Sequence, residues 1–432
     1  MRALLNKILS DDPLIRSMSY QSVLSAFGEG AFLTGSAVYF TQIVGLSAAQ
    51  VGLGMTIAGV AAFLTAVPLG KAADRFGTHR TWVVGSVLEA VLFGTWFLAR
   101  DFWAYVAVTV ALEVLDGWTL AGRNAYRLDV FPPGQRVRSL AYMRASRNVG
   151  YTLGALAGGL ALAARSDTLI KAVPLATAAI LLLNAYWISR LPSAPHLAHA
   201  DASTAGQPGG HAALRNRGFL LASFFDGVLG THGVLLNTVI PLWLVEETDA
   251  PRVLLAWLFG TNTVMAVLLQ VLAARGVTDV RTSVRAERRG ALCFVASCII
   301  ILVTHDTTGW LTIGLVWLGH VTVTGSELFE SAGNWGLQSE LSDPRRRGEY
   351  QGVASLGSTL GNVWAPAAYT WLAMNWGTPG WLLIAGIICL AAVGIGPAAR
   401  SAERYLSSHG TTTGGEVPVP RPSAETSPSP VA

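Results

Sequence analysis

Charge is what this chain has least of. Asp, Glu, Lys and Arg make up 13% of its 432 residues, about half the roughly 25% of a soluble globular domain. That shortage excludes an ordinary soluble enzyme, a disordered chain and a nucleic-acid binder with a basic face. Cysteine is nearly absent. Cys293, Cys298 and Cys389 all lie in apolar runs, and their spacing fits neither a disulfide framework nor a metal site. No Gly-x-x-x-x-Gly-Lys-Ser/Thr segment occurs, so direct drive by ATP has no support. No His-rich cluster or nucleophile–base spacing points to an enzyme, and no cofactor or metal is implied.

What the chain has instead is 52% apolar residues, gathered into long runs. A bilayer-spanning helix needs about 20 mainly apolar residues. Twelve runs meet or approach that length, the first at 17–44 and the last at 381–399; the ninth, 290–303, is the shortest. Backbone in lipid has to satisfy its own hydrogen bonds, so runs this long predict an all-α membrane protein of twelve transmembrane helices. Basic residues fall in alternate loops. Lys71, Arg75 and Arg80 follow the second run, Arg136 and Arg138 the fourth, and Arg345, Arg346 and Arg347 the tenth. The intervening loops hold only Arg100, Arg165, Lys171 and Arg252. This alternation places both termini in the cytoplasm. Arg outnumbers Lys by 27 to 3, and with abundant Ala and Gly this bias points to a high-GC bacterial genome and a bacterial plasma membrane.

Residues 192–217 break the pattern with Ala, His, Pro, Gly and Ser. They divide six runs from six and read as a cytoplasmic linker, its His196, His199 and His211 included. The expected organisation is a lead-in at 1–16, a six-helix bundle at 17–191, the linker, a second bundle at 218–399, and a disordered cytoplasmic tail at 400–432. A shift of 211 residues lays Ala121 and Gly122 on Ala332 and Gly333, Pro133 on Pro344, Arg136 on Arg347 and Gly150 on Gly361. Duplicated six-helix units follow, with a cavity between the halves.

The stretch after the second run carries Gly70, Asp74, Arg75, Gly77 and Arg80. Gly70 permits close approach of another helix. Asp74 suits the positive end of a neighbouring helix, and the arginines can pair with acids or anionic lipid. This spacing resembles the signature loop of the major facilitator superfamily, Gly-x-x-x-Asp-Arg/Lys-x-Gly-x-x-Arg/Lys; Thr78 and His79 depart from its usual basic residues. The resemblance implies the superfamily fold and a gating role for this loop, as a latch between halves. The fifth run carries Gly150, Gly154, Gly158 and Gly159, and its counterpart carries Gly361 and Pro366. Small residues four apart let helices approach closely. The run is also similar to the glycine-rich fifth-helix motif of drug/proton antiporters, with Ala155 where that motif has proline.

Ionisable groups at membrane depth cost about 2.5–3.5 kcal/mol on insertion scales and usually face a bundle interior. Glu29, Glu113, Asp116, Arg123, Asp226, Glu327 and Glu330 are the candidates for proton coupling or cavity lining. For Asp226 a contact with His232 is the alternative. Glu89 is set aside as facing a less protected surface. Glu113, Asp116 and Arg123 share one helix face, where a structural ion-pair network is the alternative. A first-helix acid such as Glu29 is similar to the coupling carboxylate of several drug antiporters, and Arg123 is the possible analogue of their fourth-helix arginine. Phe32, Tyr39, Trp118, Asn237, Asn334, Trp335 and Trp364 are candidates for an amphipathic substrate pocket, with helix packing or lipid contact as the alternative for the aromatic ones.

The resemblance implies a secondary active transporter working by alternating access. The expected function is proton-coupled export of a small amphipathic organic compound. Uptake of a small solute and a membrane sensor without flux are the alternatives. The expected partners are a small-molecule substrate, protons and the lipid bilayer, with no nucleic acid and with the chain acting as a monomer.

Overall fold

The computed structural model describes residues 10–164, 166–192 and 212–409. His196, His199 and His211 lie outside them, as does nearly all of the expected linker. Among the described residues there is no strand, and twelve long helical rods account for nearly the whole fold. They are α1 (Pro13–Val38), α2 (Ala48–Phe76), α3 (Thr78–Gly94), α4 (Phe102–Val130), α5 (Arg136–Ala163) and α6 (Asp167–Ser189) in the first half. The second half holds α7 (Arg217–Glu246), α8 (Leu254–Ala273), α9 (Val280–Val303), α10 (Trp310–Glu340), α11 (Arg347–Trp376) and α12 (Thr378–Ser408). The number matches the twelve apolar runs, and the 6+6 arrangement matches the repeat.

Seven of these rods are long and apolar enough to cross a membrane by length and composition. The others are α1, α5, α9, α10 and α11. Polar residues explain two of them: α5 holds Arg144 and Arg147, and α10 holds Glu327, Glu330, Asn334 and Gln338.

Several boundaries differ from the sequence reading for physical reasons. The stretch 70–76 is the last turns of α2 rather than a loop, because Gly77 alone makes the turn into α3. Its φ is 89°, a left-handed conformation that favours glycine. The ninth span begins at Val280, ten residues before the apolar run. Asp279 caps it by accepting from the Thr282 amide at 2.7 Å, and Thr282 closes a capping box. The charged face of this first part stays exposed, with Arg281, Arg285, Arg288 and Arg289 outward and Glu287 inward. At the other end α12 runs on to Ser408, so the first nine residues of the expected tail are helical. Residues 13–16 of the expected lead-in belong to α1, capped by Asp12 at 2.8 Å.

Glycines set the closest helix contacts. In the first half α1 and α5 pack most extensively. Gly150, Gly154 and Gly158 lie against the Val23, Phe27 and Ala31 carbonyls of α1. In the second half Gly357 and Gly361 of α11 meet the Ser223 and Gly227 carbonyls of α7 in the same way. The repeat is thus structural: the fifth helix of each half rests through glycine on the backbone of the first. Gly159 differs, since a side chain there would meet open space. Gly154→Val is expected to cost about 1–3 kcal/mol through overpacking, read as a lower melting temperature in detergent. An unchanged melting temperature would deny that the contact is tight.

The halves meet through α2–α11, α5–α8, α4–α11 and α5–α10. Many of these contacts cluster at the Asp74 end. Val271, Ala274 and Val277 at the end of α8 share an apolar cluster with Val137 and Ala141 of α5. A separate cluster around Phe40, Trp96 and Tyr105 fills the first half at its other end. Polar residues occupy the space between.

Candidate functional site

The contact layer at the Asp74 end is built from backbone and charge. Asp74 Oδ1 accepts from the Gly348 amide at 2.7 Å and Oδ2 from the Glu349 amide at 2.9 Å. These are free donors in the first turn of α11, and the carboxylate also meets the positive end of that helix. The contact demands close approach, and a side chain at Gly70 would collide with the Gly348 carbonyl. Arg75 and Arg80 are exposed. Beside this latch Arg347 of α11 pairs with Asp129 of α4. Its repeat mate Arg136 reaches back across the halves, from its NH1 atom to Ser339 Oγ at 3.3 Å, next to Glu340. Asn124 Nδ2 donates to Gln351 Oε1 at 3.3 Å.

Above this layer lies a polar crevice. Glu29 on α1 stands against Arg147, which lines the crevice. Its Oε2 accepts from the Arg147 guanidinium at 3.0 Å and from the Tyr151 hydroxyl at 2.5 Å, and its Oε1 from Ser25 at 2.8 Å. Arg147 also stacks over the Tyr151 ring at 5.1 Å. The cluster is partly open, with side-chain exposures of 28% for Glu29 and 37% for Arg147. One helical turn away on α5, Arg144 reaches across the halves to Glu327 at 2.9 Å. Asn262 of α8 holds the other Glu327 oxygen at 2.8 Å. Arg144 and Arg147, three residues apart, therefore face one carboxylate in each half.

Three cavities of about 210, 230 and 170 Å³ open around these groups. Arg123, Arg127, Arg144, Arg147, Asn334 and Trp335 line the first. Glu113 and Asp116 line the second, which shares Asn124, Gln338 and Gln351 with the first. Asn237, Asn262, His320 and Glu327 line the third. Glu89, read from sequence as surface, turns a buried oxygen toward the Asp116 side of this region.

The remaining candidates divide. Asp226 faces Glu287 of α9 deep in the second half and accepts from Asn334 at 2.8 Å. The alternative read for Asp226, a contact with His232, is not the one formed; His232 lies 3.9 Å from Glu330. Glu287 is fully buried and makes no hydrogen bond to a donor. Between the facing Asp226 Oδ1 and Glu287 carboxyl there is no donor unless the two share a proton. Glu287→Gln supplies one, and is expected to raise the melting temperature by a few degrees. A lower melting temperature would mean that the carboxyl itself is required there.

Phe32 and Tyr39 are packed into the aromatic cluster at the far end. Phe32 lies edge-on to Phe93 at 5.0 Å, and the Tyr39 hydroxyl donates to the Trp96 carbonyl at 3.0 Å. Trp364 packs edge-on against Tyr369 at 5.3 Å, and Trp118 against Phe76 at 5.9 Å. Of the seven pocket candidates, Asn237, Asn334 and Trp335 line the crevice cavities, whereas Phe32 and Tyr39 line a separate void of about 10 Å³ at the far end. Sequence reasoning passed over Arg144, Arg147, Tyr151, Asn262, Glu287 and His320. The signal for the arginines was available: two charges three apart inside a span, beside a glycine stripe.

The protein-family model described as Major Facilitator Superfamily matches residues 19–327. Among curated proteins, a "Na(+), Li(+), K(+)/H(+) antiporter" of Planococcus maritimus is 25% identical over 368 residues, covering 79% of this chain and 85% of that protein. The "Multidrug resistance protein MdtH" of Photorhabdus laumondii is 26% identical over 373 residues, covering 82% and 87%. Among solved structures, the transporter FucP in the outward conformation superposes with a TM-score of 0.68 at 15% identity, covering 90% of this chain and 98% of that one.

Proposed function

The chain belongs to the major facilitator superfamily of membrane transporters, and on that premise we propose that it exports a small amphipathic organic compound in exchange for protons. The carrying observation is the Glu29–Arg147–Tyr151 cluster, a carboxylate held by three donors, of which Arg147 lines the crevice between the halves. A carboxylate in this position can take a proton when the crevice faces one side and release it when it faces the other. Protonation would free Arg147, one helical turn from the Arg144–Glu327 bridge between halves. Proton binding and the closure of the crevice then act on one helix face. The latch at Asp74 would hold the opposite end shut meanwhile, and in the bacterial plasma membrane that end is cytoplasmic. Residues 17–191 and 218–399 are the two rocking bundles of this reading, and 192–217 is their cytoplasmic linker. The names of the antiporter and multidrug-resistance relatives agree with this direction.

A second reading is exchange of monovalent cations for protons. The buried Asp226, Glu287 and Glu330 favour it, as does the name of the Planococcus relative. One experiment separates the two. Proteoliposomes holding the purified chain and a pH-sensitive dye are challenged with a panel of amphipathic compounds and, separately, with sodium or potassium. Proton movement on adding organic compounds, abolished by a protonophore, supports export. Movement with the inorganic cations alone replaces it with the second reading, and no movement with either sinks both.

A further inference from the structure

The export reading leaves the charge of the substrate open, and the chamber walls bear on it. Resting on that reading, we propose that the basic chamber of the crevice binds the oxyanion headgroup of an amphipathic organic anion, a carboxylate or a phosphate monoester on an apolar body.

The chamber has a volume of about 210 Å³ and is lined by four arginines, Arg123, Arg127, Arg144 and Arg147, and by no carboxylate. Two of the four are already held, Arg144 by Glu327 and Arg147 by Glu29. The other two are not. Among the described residues Arg123 and Arg127 form no ion pair within 4 Å, and the Nε of each is buried without a partner. Arg127 lies over the Trp82 ring at 5.7 Å, which orients its guanidinium without supplying an acceptor. A third orphan joins them from the other half. The oxygen of Gln351 takes the Asn124 amide, while its Nε2 is buried and unpartnered.

The orphan atoms on this wall are therefore all donors. A buried donor without an acceptor costs about 1–3 kcal/mol. A ligand that satisfies several at once has to be rich in acceptors, and guanidinium groups favour oxyanions, often held by two parallel bonds. Acidic groups nearby do not remove the demand. Glu29, Glu89 and Asp116 lie within electrostatic range of Arg123, but none is paired with it. Asp116, with Glu113, lines the adjoining chamber. Beside the arginines and neutral amides such as Asn334 and Gln338, the chamber carries an apolar wall of Leu120, Leu140, Met143 and Trp335. That wall suits the body of an amphipathic molecule and would gain little from a bare inorganic ion.

The test is calorimetric titration of the purified full chain in detergent, which needs neither a proton gradient nor flux. The probes are 1-naphthoate, the neutral 1-naphthamide, the cationic 1-naphthylmethylamine, 1-naphthyl phosphate and inorganic phosphate. The expected result is binding of the two naphthyl anions, with the amide and the amine at least about tenfold weaker. Arg123→Gln and Arg127→Gln should each weaken naphthoate about tenfold or more. Arg127→Lys, which keeps the charge, should recover part of the loss and guards against a variant that misfolds. Equal binding of the amine or the amide overturns the proposal, as does unchanged affinity in both Gln variants. Inorganic phosphate as tight as naphthyl phosphate would mark an adventitious ion only, and overturns it too. Anion binding without protonophore-sensitive transport would leave this inference standing and remove the export reading. Proton-driven export of cations without anion binding does the reverse.

Discussion

Glu29→Gln is expected to lower proton-driven transport by about a hundredfold or more, the scale of a positioned proton-transfer group, while substrate counterflow without a gradient persists. The geometry separates the two readouts. The substituted amide keeps the size of the side chain and still offers an oxygen to Arg147 and Tyr151, which contact Glu29 at 3.0 and 2.5 Å. What it loses is the charge that changes with protonation. A fixed neutral residue mimics the loaded state, so substrate can exchange but no proton is carried. Both activities are measured in the same proteoliposomes. Loss of counterflow in parallel would assign Glu29 to substrate binding, and an unchanged gradient-driven rate would remove it from coupling altogether. Arg147→Gln tests the same cluster from the other side. It should reduce gradient-driven transport too, because Glu29 would then lose its ion-pair partner across the α1–α5 contact.

Arg347→Ala is expected to open the closed end. Arg347 is 2% exposed and its partner Asp129 13%, and breaking a buried pair by removing one member costs about 3–5 kcal/mol. The pair joins α11 to α4, so the loss falls on the state in which these helices touch. A shift of about 5.5 kcal/mol turns a ratio of 99:1 into 1:99, so most of the closed population is at stake. The measurement is labelling of a cysteine at position 67, in a background lacking the native cysteines. Val67 is 8% exposed and lies against Gly352 across the contact layer. Faster labelling is expected in Arg347→Ala. Partial reversal is expected in the double variant Asp129→Asn with Arg347→Gln, which leaves no unpaired charge. Identical labelling in all three would show that this pair does not hold the closed state.

Much of this architecture was legible in the sequence. The twelve apolar runs gave the twelve rods, because lipid permits few other solutions for such stretches. The shift by 211 residues was legible too, and its meaning became richer with coordinates. Asp129 and Glu340 also stand 211 apart. Arg347 crosses to Asp129, and Arg136 crosses to Ser339, beside Glu340. The repeat thus preserved a pair of reciprocal arms as well as two similar bundles. The partners were not legible. Glu29 and Arg147 stand 118 residues apart, and no local pattern joins them. The fifth helix was read through its glycines, so Arg144 and Arg147 passed as part of a packing helix. Aromatic candidates were the weakest guide. Phe32 and Tyr39 have the side chains of a drug pocket, yet ring contacts and the Trp96 carbonyl engage them at the far end. Periodicity tells which face a residue occupies, but not whether the space before that face is empty.

The glycine seam between α1 and α5 has a mechanical consequence. Carbonyl against glycine along three turns leaves no room for sliding, so both helices ride as a single lever. Glu29, Arg147 and Tyr151 are all mounted on that lever and keep their mutual distances while it swings. Arg144 sits on the same lever but grips the opposite bundle. The cluster therefore travels as a unit, and Arg144 and Arg136 are the arms by which this lever meets the opposite bundle. A change in the opposing wall, at Asn262 or Glu327, would leave the geometry of the Glu29 cluster intact.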